Sequence, residues 1–500
     1  MLCALSQFLE SFANNNNKNI EQQEIHDGEA AQHARASRRH LPLPTGPHTV
    51  GCVDLMCDLS NDGTFFRLYY PTNKTDLLKG YKQWPLWLPR KQYAHGYVHF
   101  LKKNKTVFGR LAHWLGGDVY VPALWQAPLL KSEDKYPVVI ISHGIGGNRT
   151  TLSTYSCELA SHGFVVASLE HRDGSASMTM CLTEQLSSVI KEVDDHNHNR
   201  HYPRSSDHNS NDEQFSNSNV TVDQKVKFYL SEGKETRESA GGRGSRVRQR
   251  RENRKRSLRH NHSCIEEWRP FQHVQVWDDF DYRNGQMYQR ADEISDLLDE
   301  LISMNQGTHI NNALGLAFKT NQFKNRLDIS RVAVIGHSFG GAAMLATLAT
   351  DKRFTMGISL DGWMQPVDSW VYETTAQPVL FLNMEAFQWE QNVNRMIGFQ
   401  ESNKSADRPM ITLMGGCHQS VTDFQFIVPQ LMGRFMDVCY TLSPSACISA
   451  CVDLSLAFLH KHLDLPLEQK HVSILECRHP HLILGTNVDL TVPNTGPTPP

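Results

Sequence analysis

Long apolar runs are missing from this 500-residue chain, and with them the signal for a membrane-spanning helix. No stretch reaches eighteen consecutive apolar residues, which is about the least that such a helix needs. The first seventeen residues lack a positively charged start, and Ser6, Gln7 and Glu10 interrupt their apolar stretch, which argues against a secretory signal. Position 2 is leucine, so the chain as written cannot be myristoylated at its N-terminus. These absences predict a cytoplasmic protein in which any membrane contact is peripheral.

Cysteine pairs at metal-binding spacing are also missing. The chain has 11 cysteines, and its closest pairs, Cys52/Cys57 and Cys447/Cys451, have no matching second pair. This pattern predicts reduced thiols rather than a disulfide framework or a zinc site, and nothing in the sequence indicates another metal or a cofactor. The formal net charge is only −3, so no overall field indicates nucleic acid as a partner.

Apolar residues are scarce in three segments. Residues 1–40 are polar and include an asparagine run, and residues 486–500 are polar and rich in proline. Residues 181–264 are rich in Asn, Ser, Glu, His and Arg, with eight arginines between Gly241 and His260. Such segments cannot bury enough surface to offset the entropy of ordering them. We therefore predict two disordered tails and a disordered, basic insertion within a single domain of residues 41–485.

The rest of the chain alternates strand-like and helix-like segments. Tyr136–Gly144 and Phe164–Asp173 read as strands buried on both faces, with a helical pattern at Thr151–Gly163 between them. A strand, helix and strand in this order form a βαβ unit, which requires parallel strands. A helix at Gln286–Met304 and further short strands continue the pattern. The sequence therefore predicts an α/β protein with a mostly parallel central sheet and helices on both faces.

One serine stands between two glycines where a predicted strand meets a predicted helix. The strand Val332–Ile335 and the helix Ala342–Leu348 flank the sequence GHSFG, in which Ser338 is central. This G-x-S-x-G pattern is typical of the nucleophile elbow of α/β-hydrolases. Glycine is expected at positions 336 and 340 for a steric reason, because the tight turn brings neighbouring backbone too close for a Cβ atom. Ser338 is therefore the candidate nucleophile.

A serine nucleophile needs a base, and the base needs an acid that orients it. Asp361 ends the next predicted strand, and His418 follows a later one, in the order Ser, Asp, His that α/β-hydrolases use. Both positions lie at carboxyl ends of strands, on the sheet edge that presents the serine. Asp368 and Glu385 are rival acids, because Glu385 also follows a strand.

Two backbone amides should stabilise the negative charge that develops during attack on an ester. One should belong to Phe339, which follows the nucleophile, and the other to Ile145 in the glycine-rich loop Ser142–Asn148. His337 adjoins the serine but faces away from it, so we assign it a packing role. Cys417 has no G-x-C-x-G surroundings, and we interpret it as structural.

The motifs together resemble one family, the platelet-activating factor acetylhydrolases of the plasma and type II intracellular kind. These are serine-dependent, calcium-independent phospholipases. The resemblance covers nearly all of residues 48–180 and 285–490, and it is carried by the stretches VGCVDLM, GTFFRLYYP, SHGIG, ELASHGFVVASLEHRD, AVIGHSFGGA, LDGWM, HQSVTDF and SLAFLHKHL.

The resemblance implies an α/β-hydrolase fold and no cofactor. It also implies Ser338 as nucleophile, Asp361 as acid and His418 as base, with the amides of Ile145 and Phe339 as the oxyanion hole. The implied substrate is a glycerophospholipid whose sn-2 acyl chain is short or oxidatively truncated, and the namesake reaction releases acetate from an ether lipid.

The sequence departs from the family pattern in its long basic insertion, its asparagine-rich tail and its segment 99–117. That segment takes the place of the family's membrane-docking helix but carries Lys102, Lys103 and Lys105, which predicts weaker or more electrostatic docking. Apolar residues remain there at Phe108, Trp114 and Leu115. Two alternatives stay open, a broader short-chain esterase and an interaction protein that uses the insertion on a hydrolase scaffold. The oligomeric state is not predicted.

Overall fold

The computed structural model describes most of the chain between residues 39 and 490. The segments outside the described residues are 1–38, 60–62, 73–76, 79, 104, 185–263, 275–278, 430–432, 434–437, 439–440 and 491–500. The disorder predicted for the two tails and the insertion falls almost entirely on these segments.

The described residues form fourteen strands, ten of them in one sheet. In chain order the strands are β1 (Arg39–His40), β2 (Val50–Cys57), β3 (Thr64–Pro71), β4 (Val119–Tyr120), β5 (Leu124–Trp125), β6 (Tyr136–Ser142), β7 (Val165–Leu169), β8 (Met178–Glu184), β9 (Cys264–Pro270), β10 (Leu327–His337), β11 (Met356–Leu360), β12 (Val379–Met384), β13 (Met410–Leu413) and β14 (Leu482–Leu484). The large sheet has the order β14-β13-β12-β11-β10-β6-β7-β3-β2-β5. Its neighbours are parallel except at β2–β3, β3–β7 and β13–β14, so the prediction of a mostly parallel sheet is confirmed.

Helices cover both faces of this sheet, as the sequence predicts. In chain order the described α-helices are α1 (Lys91–Phe100), α2 (Lys105–Gly116), α3 (Ser153–Ser161), α4 (Phe280–Asn305), α5 (Phe339–Thr350), α6 (Ser369–Thr374), α7 (Glu390–Ser402), α8 (Phe424–Ile427), α9 (Pro444–His462) and α10 (Gln469–Leu475). Within β6, Val139 and Ile141 pack towards α3 and α9, whereas Val138 and Ile140 pack towards α4 and α5. This alternation creates two cores, because successive strand residues point to opposite faces. Across the described residues, no helix combines the length and the apolar character needed to cross a bilayer.

Helix α4 begins six residues earlier than its apolar pattern predicts. Asp279 caps it, because the carboxylate accepts a hydrogen bond from the N–H of Tyr282 over 3.0 Å. An acceptor at this position satisfies one of the free amides of the first turn and lets the helix start before its apolar stripe.

The insertion is narrower than predicted. Strands β8 and β9 pair in antiparallel fashion, with Glu184 opposite Cys264. Strand β8 therefore ends at Glu184, and β9 begins at Cys264. Met180 and Leu182 on β8 are buried against Met56, which stabilises the hairpin up to this point. Residues 181–184 and 264, predicted as part of the insertion, therefore belong to the folded domain.

A few residues predicted to lie in the two tails also belong to the folded domain. Strand β1 pairs with β4, and the ring of His40 packs edge-on against Trp84 with 5.3 Å between ring centres. At the other end, Thr486 donates a hydrogen bond to Gln388 over 2.7 Å, and Val488 packs against the core. These contacts order residues whose composition alone predicts disorder.

Candidate active site

Ser338 lies in a strained turn between β10 and α5. Its backbone angles are φ 55° and ψ −119°, a conformation that non-glycine residues rarely adopt. A Cβ at Gly336 would lie 2.0 Å from the carbonyl oxygen of Gly340, and a Cβ at Gly340 would lie 2.2 Å from that of Ser142. The steric reason given for the two glycines therefore holds in the structure.

Asp361 lies beside this turn, one residue after β11. The parallel pairing of β10 with β11 aligns His337 with Leu360, and the N–H of Ser338 donates to the carbonyl of Leu360 over 3.0 Å. The Asp361 carboxylate accepts a hydrogen bond from the backbone N–H of Met384 through Oδ1 over 2.8 Å. This contact leaves Oδ2 available to a second partner.

His418 is that partner. Its Nδ1 lies 2.6 Å from Asp361 Oδ2. The rival acids are engaged elsewhere, because Glu385 accepts from the N–H of Gly415 over 2.6 Å and Asp368 accepts from Asn284 over 2.8 Å. Of the three candidate acids, the structure brings only Asp361 to the histidine.

Two aromatic neighbours hold His418 in place, and sequence reasoning missed both roles. The Nε2 of His337 donates to the carbonyl oxygen of His418 over 2.9 Å, so His337 does more than the packing predicted for it. Phe387 stacks on the His418 ring with 3.6 Å between ring centres and 24° between planes. No sequence pattern indicates Phe387, whereas the position of His337 inside the G-x-S-x-G motif is a signal.

Burial disfavours charge on both members of the Asp361–His418 pair. It lowers the pKa of His418 to about 3, and it raises the pKa of the Asp361 carboxyl well above its usual range, although the Met384 amide opposes the second shift. We assign the proton of the neutral imidazole to Nδ1, which donates it to Asp361 Oδ2 over 2.6 Å. Nε2 of His418 is then left without a proton at neutral pH, as a general base requires.

We expect the acid limb of the kcat/KM profile to lie below the usual histidine pKa of about 6.5. Because burial lowers the pKa of His418, its base form persists as the pH falls through that value, and activity is lost only nearer the lowered pKa. The measurement is kcat/KM for a soluble short-chain ester from pH 8 down to pH 3, or to the lowest pH at which the protein stays folded.

The matched variant for this profile is Phe387→Ala. Removing the stacked ring admits water to His418 and should move the acid limb towards higher pH. A wild-type limb at about 6.5 would contradict the burial argument, and so would a limb that does not move in the variant.

The loop after β6 lies directly against the serine. A Cβ at Gly144 would be 3.0 Å from the Cβ of Ser338. The N–H of Gly146 donates to Ser175 over 2.8 Å, but within the described part of the chain the N–H groups of Ile145 and Phe339 donate to no acceptor. The two amides predicted for the oxyanion hole are thus uncommitted, and one follows Ser338 in the chain while the other follows Gly144, which packs against it.

The nucleophile and its base are not hydrogen-bonded to each other. Ser338 is 9% exposed, and its Oγ makes no hydrogen bond to His418 or to any other described residue. Hydrogen bonds between a nucleophile and its base are often long or poorly aligned until substrate binds, so this geometry does not argue against the pair.

The sheet, the serine turn and the helices on both faces define an α/β-hydrolase fold. Among solved structures, a ferulic acid esterase from Streptomyces cinnamoneus superposes with a TM-score of 0.52 at 16% identity. The superposition covers 90% of this chain and 99% of the esterase. An identity this low supports the fold alone.

Sequence comparison is more specific. The profile of the family described as platelet-activating factor acetylhydrolase, isoform II, matches residues 33–264 and 255–476. The dog platelet-activating factor acetylhydrolase is 34% identical over 92% of this chain and 86% of its own length, and the chicken protein is 33% identical over 90% of each. A putative phospholipase A2 of fission yeast matches 28% of this chain at 31% identity. The chain belongs to the platelet-activating factor acetylhydrolase family and is an ester hydrolase.

Proposed function

We propose that the protein is a calcium-independent serine esterase that removes short or oxidatively truncated sn-2 acyl groups from glycerophospholipids. The observation that carries the proposal is the 2.6 Å hydrogen bond between His418 and Asp361. This pair lies at the sheet edge where Ser338 stands at positive φ, in a chain of the acetylhydrolase family.

In the first half of the proposed reaction, Ser338 is acylated. Nε2 of His418 takes the proton of Ser338 Oγ while Oγ forms a bond to the sn-2 carbonyl carbon. Asp361 holds the imidazole through Nδ1 and stabilises its positive charge. The N–H groups of Ile145 and Phe339 donate to the oxyanion, which then collapses and breaks the bond to the glycerol oxygen. His418 gives its proton to that oxygen, and the lysophospholipid leaves.

In the second half, water releases the acyl group. His418 takes a proton from a water molecule, whose oxygen attacks the acyl carbon of the ester on Ser338. The second oxyanion lies against the same two amides. Its collapse returns the proton from His418 to Ser338 Oγ and frees a short carboxylic acid. No step uses a metal, so we expect the rate to be unchanged by a calcium chelator.

A series of phospholipids that differ only in sn-2 chain length tests this proposal. We expect kcat/KM to be highest for acetyl and for short oxidised chains and to fall by about tenfold or more for long saturated chains. Equal or higher values for long chains would contradict the substrate assignment. Turnover of neutral short-chain esters without turnover of any phospholipid would favour the broader esterase instead.

Membrane contact through residues 99–117 stays a prediction. In this segment, Leu101 is 48% exposed and Trp114 is 51% exposed, and Lys102 and Lys103, which follow Leu101, are also exposed. Exposed apolar and cationic side chains of this kind favour peripheral docking on an anionic surface, which co-sedimentation with anionic vesicles would test. The alternative function, an interaction protein that acts through the basic insertion, concerns residues outside the described chain.

A further inference from the structure

Helix α4 carries a fully buried arginine next to the active site. Arg290 has no exposed surface, and its Nε donates to Asp173 Oδ2 over 2.8 Å, which neutralises the buried charge. Its Nη2 donates to Ser175 Oγ, and its Nη1 donates to the carbonyl oxygen of His143 over 2.5 Å. Two of these contacts reach groups that hold the loop after β6.

Arg290 fixes that loop on both sides of Ile145. Its contact with the His143 carbonyl lies two residues before Ile145. On the other side, the N–H of Gly146 donates to the carbonyl of Ser175, whose hydroxyl Arg290 also contacts. Ile145 therefore lies between two anchored positions, and the direction of its free N–H depends on both.

The same guanidinium contacts the residue that carries the second amide. The Cζ atom of Arg290 lies 4.5 Å from the centre of the Phe339 ring, within the range of a cation–π interaction. Phe339 is fully buried and is the first residue of α5. A shift of the guanidinium would thus displace both sides of the proposed oxyanion hole.

One turn further along α4, Glu293 tethers the start of the loop. Its Oε2 lies 2.5 Å from Nδ1 of His171, and Nε2 of His171 lies 2.7 Å from Oγ of Ser142, the last residue of β6. The side chains of Glu293, His171 and Ser142 follow the order acid, base and nucleophile of a catalytic triad. Ser142 and His171 have no exposed surface, however, so no substrate can reach them. The three side chains therefore serve as a second anchor of the loop.

We propose that Arg290 is a positioning residue that sets the amides of Ile145 and Phe339 at the spacing an oxyanion requires. This inference rests on the proposed function, because the oxyanion hole is part of it. Arg290 touches no reacting atom. It acts through the loop at His143 and through the ring of Phe339.

The test compares Arg290→Met with Arg408→Met in the full-length protein. Arg408 is a matched control, because it is 5% exposed, donates to the carbonyls of Phe399 and Thr375 over 2.5 Å each, and lies 3.9 Å from the Phe399 ring centre. It therefore repeats the burial, the carbonyl contacts and the ring contact of Arg290, but not its ion pair with Asp173, and it does not contact the active site. Two quantities are measured for each variant, the kinetic constants for a 2-acetyl phospholipid and the hydrogen exchange of the amides in residues 142–148.

We expect Arg290→Met to lower kcat by about 100-fold with little change in KM, because misplaced donors act on the transition state rather than on the bound substrate. Exchange in residues 142–148 should become faster. Arg408→Met should lose stability but keep the wild-type kcat per folded molecule and the wild-type exchange in the loop. Arg290→Lys keeps a single cationic donor and should fall between the wild type and Arg290→Met. If Arg290→Met does not fold, the same measurements are made on Arg290→Lys.

Wild-type exchange in the loop of either Arg290 variant would overturn the inference, and so would equal losses of kcat in Arg290→Met and Arg408→Met. A wild-type protein that hydrolyses no ester would overturn the proposed function instead. Hydrogen exchange keeps the two failures apart, because it reports on the loop without any turnover.

Discussion

We expect Ser338→Ala to lower the hydrolysis of a 2-acetyl phospholipid by about 10⁴-fold or more while the protein stays folded. The loss follows from the removal of the atom that is acylated. Stability should change little, because Ser338 Oγ makes no hydrogen bond within the described residues and therefore holds no other group in place. Initial rates and the thermal unfolding midpoint measure the two parts of this expectation.

The control is Ser449→Ala, which should keep full activity, because Ser449 is an exposed serine on α9 whose hydroxyl donates to Asp453 over 3.2 Å. His418→Ala should match the loss in Ser338→Ala, and the double variant should lose no more than either one, because the two residues act as a unit. Wild-type turnover in Ser338→Ala would contradict the assignment of Ser338 as the nucleophile.

The second large effect belongs to Gly340→Ala. The new Cβ would lie 2.2 Å from the carbonyl oxygen of Ser142 and 2.8 Å from its carbonyl carbon, and both atoms are backbone. Relief requires β6 and α5 to move apart, which should lower the free energy of unfolding by about 3 kcal/mol or more. The same movement displaces Ser338 and Phe339, so activity should be lost in the molecules that still fold. Denaturant unfolding and turnover per folded molecule are the measurements.

Gly285→Ala is the matched substitution, because a Cβ there meets no atom within 4 Å. Gly285 is exposed within α4, so alanine should stabilise the protein by about 0.5–1 kcal/mol and leave the kinetics unchanged. If Gly340→Ala proved as stable and as active as the wild type, the close packing of the turn against β6 would be wrong.

The parts of the site that short sequence patterns encode were predictable. Parallel strands bring their carboxyl ends to one edge, so Ser338, Asp361 and His418 could be expected together from their places after predicted strands. The amide of Ile145 could be expected because a glycine-rich loop follows the predicted strand that begins at Tyr136.

The contacts that orient the histidine could not be predicted in the same way. Phe387 stacks on His418 from a short 3-10 turn after β12, and a lone aromatic residue in such a turn carries no periodic signal. The strand positions alone left Glu385 as a rival to Asp361, since both follow strands, and only the resemblance to the family favoured Asp361 before the structure separated their side-chain directions.

Arg290 was within reach of sequence reasoning. On α4, Arg283 and Arg290 share the helical spacing of the buried residues Met287, Ile294 and Leu297. A charged residue on an apolar stripe predicts a buried, paired charge, and such charges cluster near functional sites. The partners of that charge could not be predicted, because Asp173 and His143 approach from distant loops.

The most direct test of the account is to trap the acyl-enzyme. Wild-type protein mixed with a 2-acetyl phospholipid and quenched during turnover should yield, by peptide mass spectrometry, an acetyl group on Ser338 that is absent from Ser338→Ala. An acetyl group on another residue of the wild type, such as Ser142 or Cys417, would contradict the account, and so would rapid turnover with no acetylated Ser338 at any quench time.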